Sequence, residues 1–169
     1  MNKTEAEYSD RKFKPIRVLH VDDEPTDLEI TRIFLQRASK NAFEIVSVLS
    51  AEEALDRLKT EHFDTVISDY QMPGMDGIAF LEVLRSSREH ALIPFILFTG
   101  KGGARIAAEA LKKGADRYIT KSGNPASQCN ELADTIKGLL GWEVTEDERW
   151  RIDEGPLKVA VADSQCQLV

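Results

Sequence analysis

The sequence predicts an α/β fold: a five-stranded parallel sheet with helices packed on both faces. Three observations predict it. Short apolar, β-branched segments recur along the chain, and each is followed by a longer segment with helical periodicity. The strand-like segments read as near-continuous apolar runs, as strands buried on both faces do. Glycine, proline and small polar residues punctuate the joints between segments. Alternation of this kind implies crossover helices and a (βα)5 doubly wound sheet.

The elements follow in order. Residues 16–21 read as the first strand, and residues 26–38 as a helix with Ile30, Ile33, Phe34 and Ala38 on one face. Residues 43–48 form the second strand. Ser50 caps the next helix with Glu53 at the capping-box position, and that helix buries Ala54, Leu55 and Leu58 before ending near Thr60. Residues 64–68 are the third strand, and a turn with Pro73, Gly74 and Gly77 leads to a helix carrying Ile78, Leu81 and Leu84. Residues 94–98 are the fourth strand. The helix after Gly102 and Gly103 carries Ile106, Ala110 and Leu111 and stops at Gly114, a C-terminal cap glycine. Residues 117–120 are the fifth strand. The last helix starts near Pro125, suited to a first turn, and carries Leu132, Ile136, Leu139 and Leu140.

Beyond Gly141 the pattern breaks. The expected organisation is a flexible N-terminal segment over residues 1–14, one domain over 15–141, and an extension of unknown role over 142–169. Thr145 with Glu148 forms a second candidate capping box, and residues 157–161 alternate weakly, like a short strand. A loose tail and a segment that docks through Trp142 and Trp150 are both open readings.

Composition narrows the function classes. With 42% apolar residues among 169, the chain can bury a core. No apolar run approaches the ~20 residues of a membrane helix, and the polar N-terminus lacks a secretory h-region. A net charge of −7 without a basic face disfavours direct nucleic-acid binding. Cys129 and Cys166 show no pairing or metal spacing, as expected of thiols in a reducing cytoplasm. His20, His62 and His90 match no metal-ligand spacing.

The strand ends carry the chemistry. In such sheets ligands sit at the C-terminal edge of the strands. There the sequence sets Asp22, Asp23 and Glu24 after strand one, Asp69 after strand three, Thr99 after strand four and Lys121 after strand five. Ionised carboxylates gathered at one edge repel one another, and a hard divalent cation such as Mg²⁺ relieves the repulsion. A carboxylate is also a competent nucleophile toward phosphorus. The adjacent pair Asp22 and Asp23 suits a metal cup, and Asp69, alone before Met72-Pro73-Gly74, suits the nucleophile. Lys121 and the Thr99 hydroxyl suit the oxygens of a transferred phosphoryl group.

Taken together, Val18-Leu19-His20-Val21-Asp22-Asp23-Glu24, the run from Ser68 through Asp69-Tyr70-Gln71-Met72-Pro73-Gly74 to Gly77, Phe98-Thr99-Gly100 and the run from Gly114 to Lys121 resemble the receiver domain of two-component response regulators, of the single-domain type. The resemblance covers residues 16–140. It implies a flavodoxin-like fold with strand order 2-1-3-4-5. It implies that Asp69 is phosphorylated and that Mg²⁺ is held by Asp22, Asp23, Asp69 and the Gln71 backbone carbonyl. It makes Thr99 and Lys121 the phosphoryl-binding residues, Tyr118 the aromatic that swings when Thr99 moves, and Gln71 and Lys101 the residues that tune phosphoryl lifetime. The implied donor is a sensor histidine kinase or a phosphotransfer protein, and the implied face for a downstream protein target is about residues 104–140. No residue decides for or against a homodimer through that face.

Family members often carry proline after the lysine, where this chain has Ser122 and Gly123. The residues after Leu140 are too few for an ordinary DNA-binding module. The main rival reading is a Mg²⁺-dependent phosphohydrolase with an aspartyl-phosphate intermediate; against it, no second acid is poised as a general base. A nucleotide-binding loop at Thr99-Gly100-Lys101-Gly102-Gly103 lacks the required G-x-x-x-x-G-K-[ST] spacing. An interaction module that has lost phosphorylation would not need the acids, Thr99 and Lys121 that are all present here.

Overall fold

The computed structural model describes residues 14–142. The remainder of the expected N-terminal segment, and the extension from residue 143 on with its Thr145–Glu148 cap and its strand over 157–161, lie outside the described residues. Ten elements alternate: β1 (Ile16–Val21), α1 (Pro25–Ala38), β2 (Phe43–Val48), α2 (Ala51–Thr60), β3 (Thr65–Ser68), α3 (Gly77–Ser86), β4 (Phe95–Thr99), α4 (Ala104–Lys113), β5 (Arg117–Thr120) and α5 (Pro125–Leu139). All strand pairs are parallel, in the order β2-β1-β3-β4-β5, as expected.

Two apolar layers cover the sheet. Because successive strand side chains point to opposite faces, Val18, Ile67, Ile96, Phe98 and Ile119 join α1 and α5 residues such as Leu35, Leu132 and Ile136. Leu19, Val21, Val66, Phe95 and Leu97 join the α2, α3 and α4 residues Leu58, Leu81, Leu84 and Ala110 on the other face. The cores of both layers are inaccessible to water, which makes apolar burial the main source of stability.

The helix ends follow the sequence signals. Ser50 accepts a hydrogen bond from the Glu53 amide at 3.1 Å, while the Glu53 carboxylate accepts from Leu49 rather than from the cap residue. Asp76 caps α3 through the Ala79 amide, and Asn124 caps α5 through the Ala126 amide. Gly114 ends α4 at φ +108°, a left-handed conformation that favours glycine, and a Cβ there would lie 3.0 Å from the Arg85 side chain.

Some expectations need correction. β3 and β4 begin at Thr65 and Phe95, one residue later than expected. Pro94 has no amide to give the ladder, and Asp64 turns its carboxylate to the Arg17 amide at 2.8 Å. The buried stripe of α1 is Leu28, Thr31 and Leu35; Ile30 is exposed, and Phe34 and Ala38 pack only at the margin. Apolar residues occupy more than half of that helix's circumference, so periodicity alone does not set its rotation. Leu111 is half exposed, while Ile106 and Ala110 carry the packing of α4.

Candidate functional site

The backbone ladder runs one residue past the strands and sets the charged residues side by side. Asp22 donates its amide to the Val48 carbonyl at 3.2 Å, Asp69 to Val21 at 2.8 Å and Lys121 to Thr99 at 2.9 Å. The period of two then sorts the side chains. Asp22, Asp69 and Lys121 continue the parity of Val18, Ile67 and Ile119 and lean toward the α1–α5 layer. Thr99 and Tyr118 have the parity of Leu97, on the α3–α4 side. Gly77 lets the turn after Asp69 close: a Cβ there would lie 2.1 Å from the Asp69 carbonyl oxygen, and its amide donates to the Tyr70 carbonyl at 2.8 Å.

Asp22, Asp23 and Asp69 each bring a carboxylate oxygen within 4.8 Å of the others. Asp22 is fully buried and accepts from the Glu24 amide at 3.0 Å; Asp69 accepts from the Tyr70 amide at 2.8 Å. The Lys121 ammonium donates to Asp22, stands 3.3 Å from Asp27 and 4.0 Å from Asp69, and lies 5.3 Å above the Phe98 ring. Burial pushes the Asp22 carboxyl above the usual aspartate range, and the Lys121 hydrogen bond opposes that without cancelling it. Burial also works against the charge on Lys121, but Asp22, Asp69 and Asp27 together hold its pKa above the ordinary lysine value. Three hard oxygen donors, short of positive charge and without sulfur or imidazole, fit a hard divalent cation such as Mg²⁺.

Thr99 is buried, and its hydroxyl engages both the amide and the carbonyl of Lys101 at 3.1 Å, so in this conformation it serves the loop before α4. Tyr118 packs against the α3–α4 layer with its hydroxyl accepting from the Gly103 amide at 3.2 Å, at the start of α4. A cavity of about 380 Å³ opens at this edge, lined by Asp23, Asp69, Gln71, Thr99, Lys101 and Lys121 among others. The site residues expected from sequence are therefore brought together at one edge, with Tyr118 behind the loop and outside the cavity. Every peptide bond among the described residues is trans, including those around Ser122 and Gly123.

Two residues escaped the sequence reading. Asp27, in the first turn of α1, reaches Lys121 across a sequence separation of 94 residues. Its only local signal is an acid one helical turn after the acidic motif. His20, two residues before Asp22, is buried, and its Nδ1 has no hydrogen-bond partner among the described residues. Its cross-strand neighbour is Ser47, whose hydroxyl is likewise buried and unpartnered.

The family model described as the response regulator receiver domain matches residues 18–133. The chain belongs to the response regulator receiver domain family. This receiver domain is 32% identical over 123 residues to the transcriptional regulatory protein SrrA of Staphylococcus aureus, across 73% of this chain and 47% of that protein. It is 34% identical over 150 residues to the sensor protein GacS of Pseudomonas syringae, across 83% of this chain and 16% of that protein. The chain thus spans about half the length of the regulators it matches and a smaller share of the sensors. Among solved structures, the chemotaxis response regulator CheY4 of Vibrio cholerae matches with a TM-score of 0.64 and 25% identity, over 72% of this chain and 98% of that one. Among the described residues no helix is long and apolar enough to cross a membrane.

Proposed function

We propose that this receiver domain is a phosphorelay switch that accepts a phosphoryl group on Asp69. The observation that carries the reading is the juxtaposition of three carboxylates within 4.8 Å with one lysine 4.0 Å from the expected nucleophile. Asp22, Asp23, Asp69 and the Gln71 carbonyl would hold Mg²⁺, which when bound offsets negative charge on the transferring phosphoryl oxygens. An Asp69 carboxylate oxygen attacks the phosphorus of a phosphohistidine on a sensor kinase or phosphotransfer protein. The P–N bond breaks, and the leaving imidazole regains a ring nitrogen lone pair. Lys121 and the Thr99 hydroxyl then bind phosphoryl oxygens.

Thr99 must give up its bonds to the Lys101 backbone to do this, which loosens the loop before α4. Tyr118 is tied to that same loop through the Gly103 amide, so its hydroxyl bond shifts with it. The change is a population shift toward a state with a different α4–β5–α5 face, about residues 104–140, where a downstream protein would bind. Gln71 and Lys101 line the cavity mouth and would set how readily water reaches the acyl phosphate. In this reading the chain signals rather than turning over a substrate.

Asp69→Asn keeps the shape and removes the nucleophile. With acetyl phosphate and Mg²⁺, the native protein is expected to take up one acid-labile phosphoryl group and the variant none. Equal labelling of the variant would remove Asp69 from its role.

A further inference from the structure

Among the described residues, Asp27 is the one acid of this edge that pairs with Lys121 yet stands outside the Asp22–Asp23–Asp69 triad. It sits in the first turn of α1, behind Pro25, where the helix N-terminus favours negative charge. Its carboxylate oxygen lies 3.3 Å from the Lys121 ammonium, against 4.0 Å for Asp69. The lysine is only 15% exposed, so its charge is poorly hydrated and the choice of partner matters; Asp27, at 46%, is the wetter member of the pair. Asp22 also holds the lysine, but a cation bound in the triad competes for that same carboxylate. Asp27 is not among the three carboxylates whose oxygens converge within 4.8 Å.

We infer that Asp27 is a positioning residue that draws Lys121 toward α1 and so competes with a phosphoryl group on Asp69 for the ammonium. The inference rests on the proposed phosphorylation of Asp69 and concerns its regulation. An ammonium has three donors, one of which is committed to Asp22 in this structure. A second spent on Asp27, which lines the same cavity as Asp69, Thr99 and Lys101 from the α1 side, is a donor withheld from a phosphoryl group on Asp69. Asp27 therefore favours the unphosphorylated arrangement. It also links α1 to the residue that follows β5.

The test is the affinity for beryllofluoride, a mimic of the phosphoryl group, at saturating Mg²⁺, measured by calorimetry on the full chain. Asp27→Asn is expected to bind it about two- to fivefold more tightly, the range open to a partly exposed ion pair. Asp27→Ser, a second way of removing the charge, is expected to do the same. Asp27→Glu, which keeps a carboxylate within reach, is expected to match the native protein. On a Lys121→Ala background, Asp27→Asn is expected to change nothing, whereas a general effect of net charge or helix stability would persist there. Affinity for Mg²⁺ alone is expected not to rise in Asp27→Asn. Should native protein bind beryllofluoride while Asp27→Asn and Asp27→Ser bind it equally or more weakly, the competition is refuted and the reading of Asp69 stands. Should native protein fail to bind it at all, the reading of Asp69 is refuted, and the role of Asp27 with it.

Discussion

Two arginines hold the N-terminal edge of the sheet, while at the C-terminal edge one lysine stands among four carboxylates. Arg85, at the end of α3, donates to the Gly114 carbonyl at 2.8 and 3.0 Å and to the Ile93 carbonyl at 2.8 Å, and pairs with Asp116 at 3.2 Å. Asp116 in turn accepts from the Phe95 amide at 2.8 Å, so α3, α4 and β4 meet on one guanidinium. Arg17 pairs with Glu44 at 3.3 Å and Glu61 at 3.0 Å, donates to the His62 carbonyl, and lies 4.7 Å over the Phe63 ring. At this edge each arginine meets acceptors that match it. At the other edge Asp22, Asp27 and Asp69 share Lys121, and Asp23 adds a further carboxylate beside Asp22 and Asp69. A matched edge needs nothing further to be stable; an edge with surplus negative charge is built to receive positive charge from outside.

The sharpest way to break this comparison is at the matched edge. Arg85→Ala strands two carbonyls and the Asp116 carboxylate, and is expected to cost about 2–4 kcal/mol of unfolding free energy in a urea titration. Arg85→Lys is expected to recover little of it, because a point charge cannot serve the fork of acceptors around Gly114. A loss below about 0.5 kcal/mol would show that this edge is not held by its arginine.

The unmatched edge is tested by adding the missing charge. Mg²⁺ at one hundred times its dissociation constant is expected to stabilise the native protein by about 2.7 kcal/mol. Asp23→Asn, which removes a half-buried member of the triad, is expected to lose most of that gain. It is also expected to leave Arg85-dependent stability unchanged, since distant sites add independently. An equal magnesium response in both proteins would place the cation elsewhere.

The same contrast explains what the sequence disclosed. The five strands and five helices were legible because each obeys its own local rule: apolar runs, Ser50 and Asn124 at caps, Gly114 at a helix end. Asp22, Asp69, Thr99 and Lys121 were legible because strand order alone brings strand ends together, and the parallel ladder does so residue by residue. The rotation of α1 was not, because Leu28 and Leu35 compete with Ile30, Ile33 and Phe34 for the buried face. That rotation is what turns Asp27 toward Lys121. A contact between a helix start and a strand end so far apart in sequence leaves no local periodicity to read. The tie from Tyr118 to Gly103 was hidden for the same reason.

The smallest expected effect concerns a residue that sits behind the unmatched edge and adds no charge to it. Burial, and secondarily the Lys121 ammonium, lower the His20 pKa from 6.5 to about 3, so the folded protein keeps this imidazole neutral. In the unfolded chain the ring takes up a proton below about pH 6.5. Between pH 6.5 and 3 the unfolded state therefore binds more protons, and stability falls as the pH falls through that window. At pH 5 this one group is expected to remove about 2 kcal/mol relative to neutral pH. His20→Leu replaces the ring with an apolar side chain of similar volume and leaves no Nδ1 without a partner. With magnesium chelated, so that cation release does not add to the slope, the difference in unfolding free energy between the variant and the native protein is expected to grow by about that amount from pH 7.5 to pH 5. Parallel curves would mean that His20 already shares a proton in the folded state, and that the positive charge at this edge is not confined to Lys121.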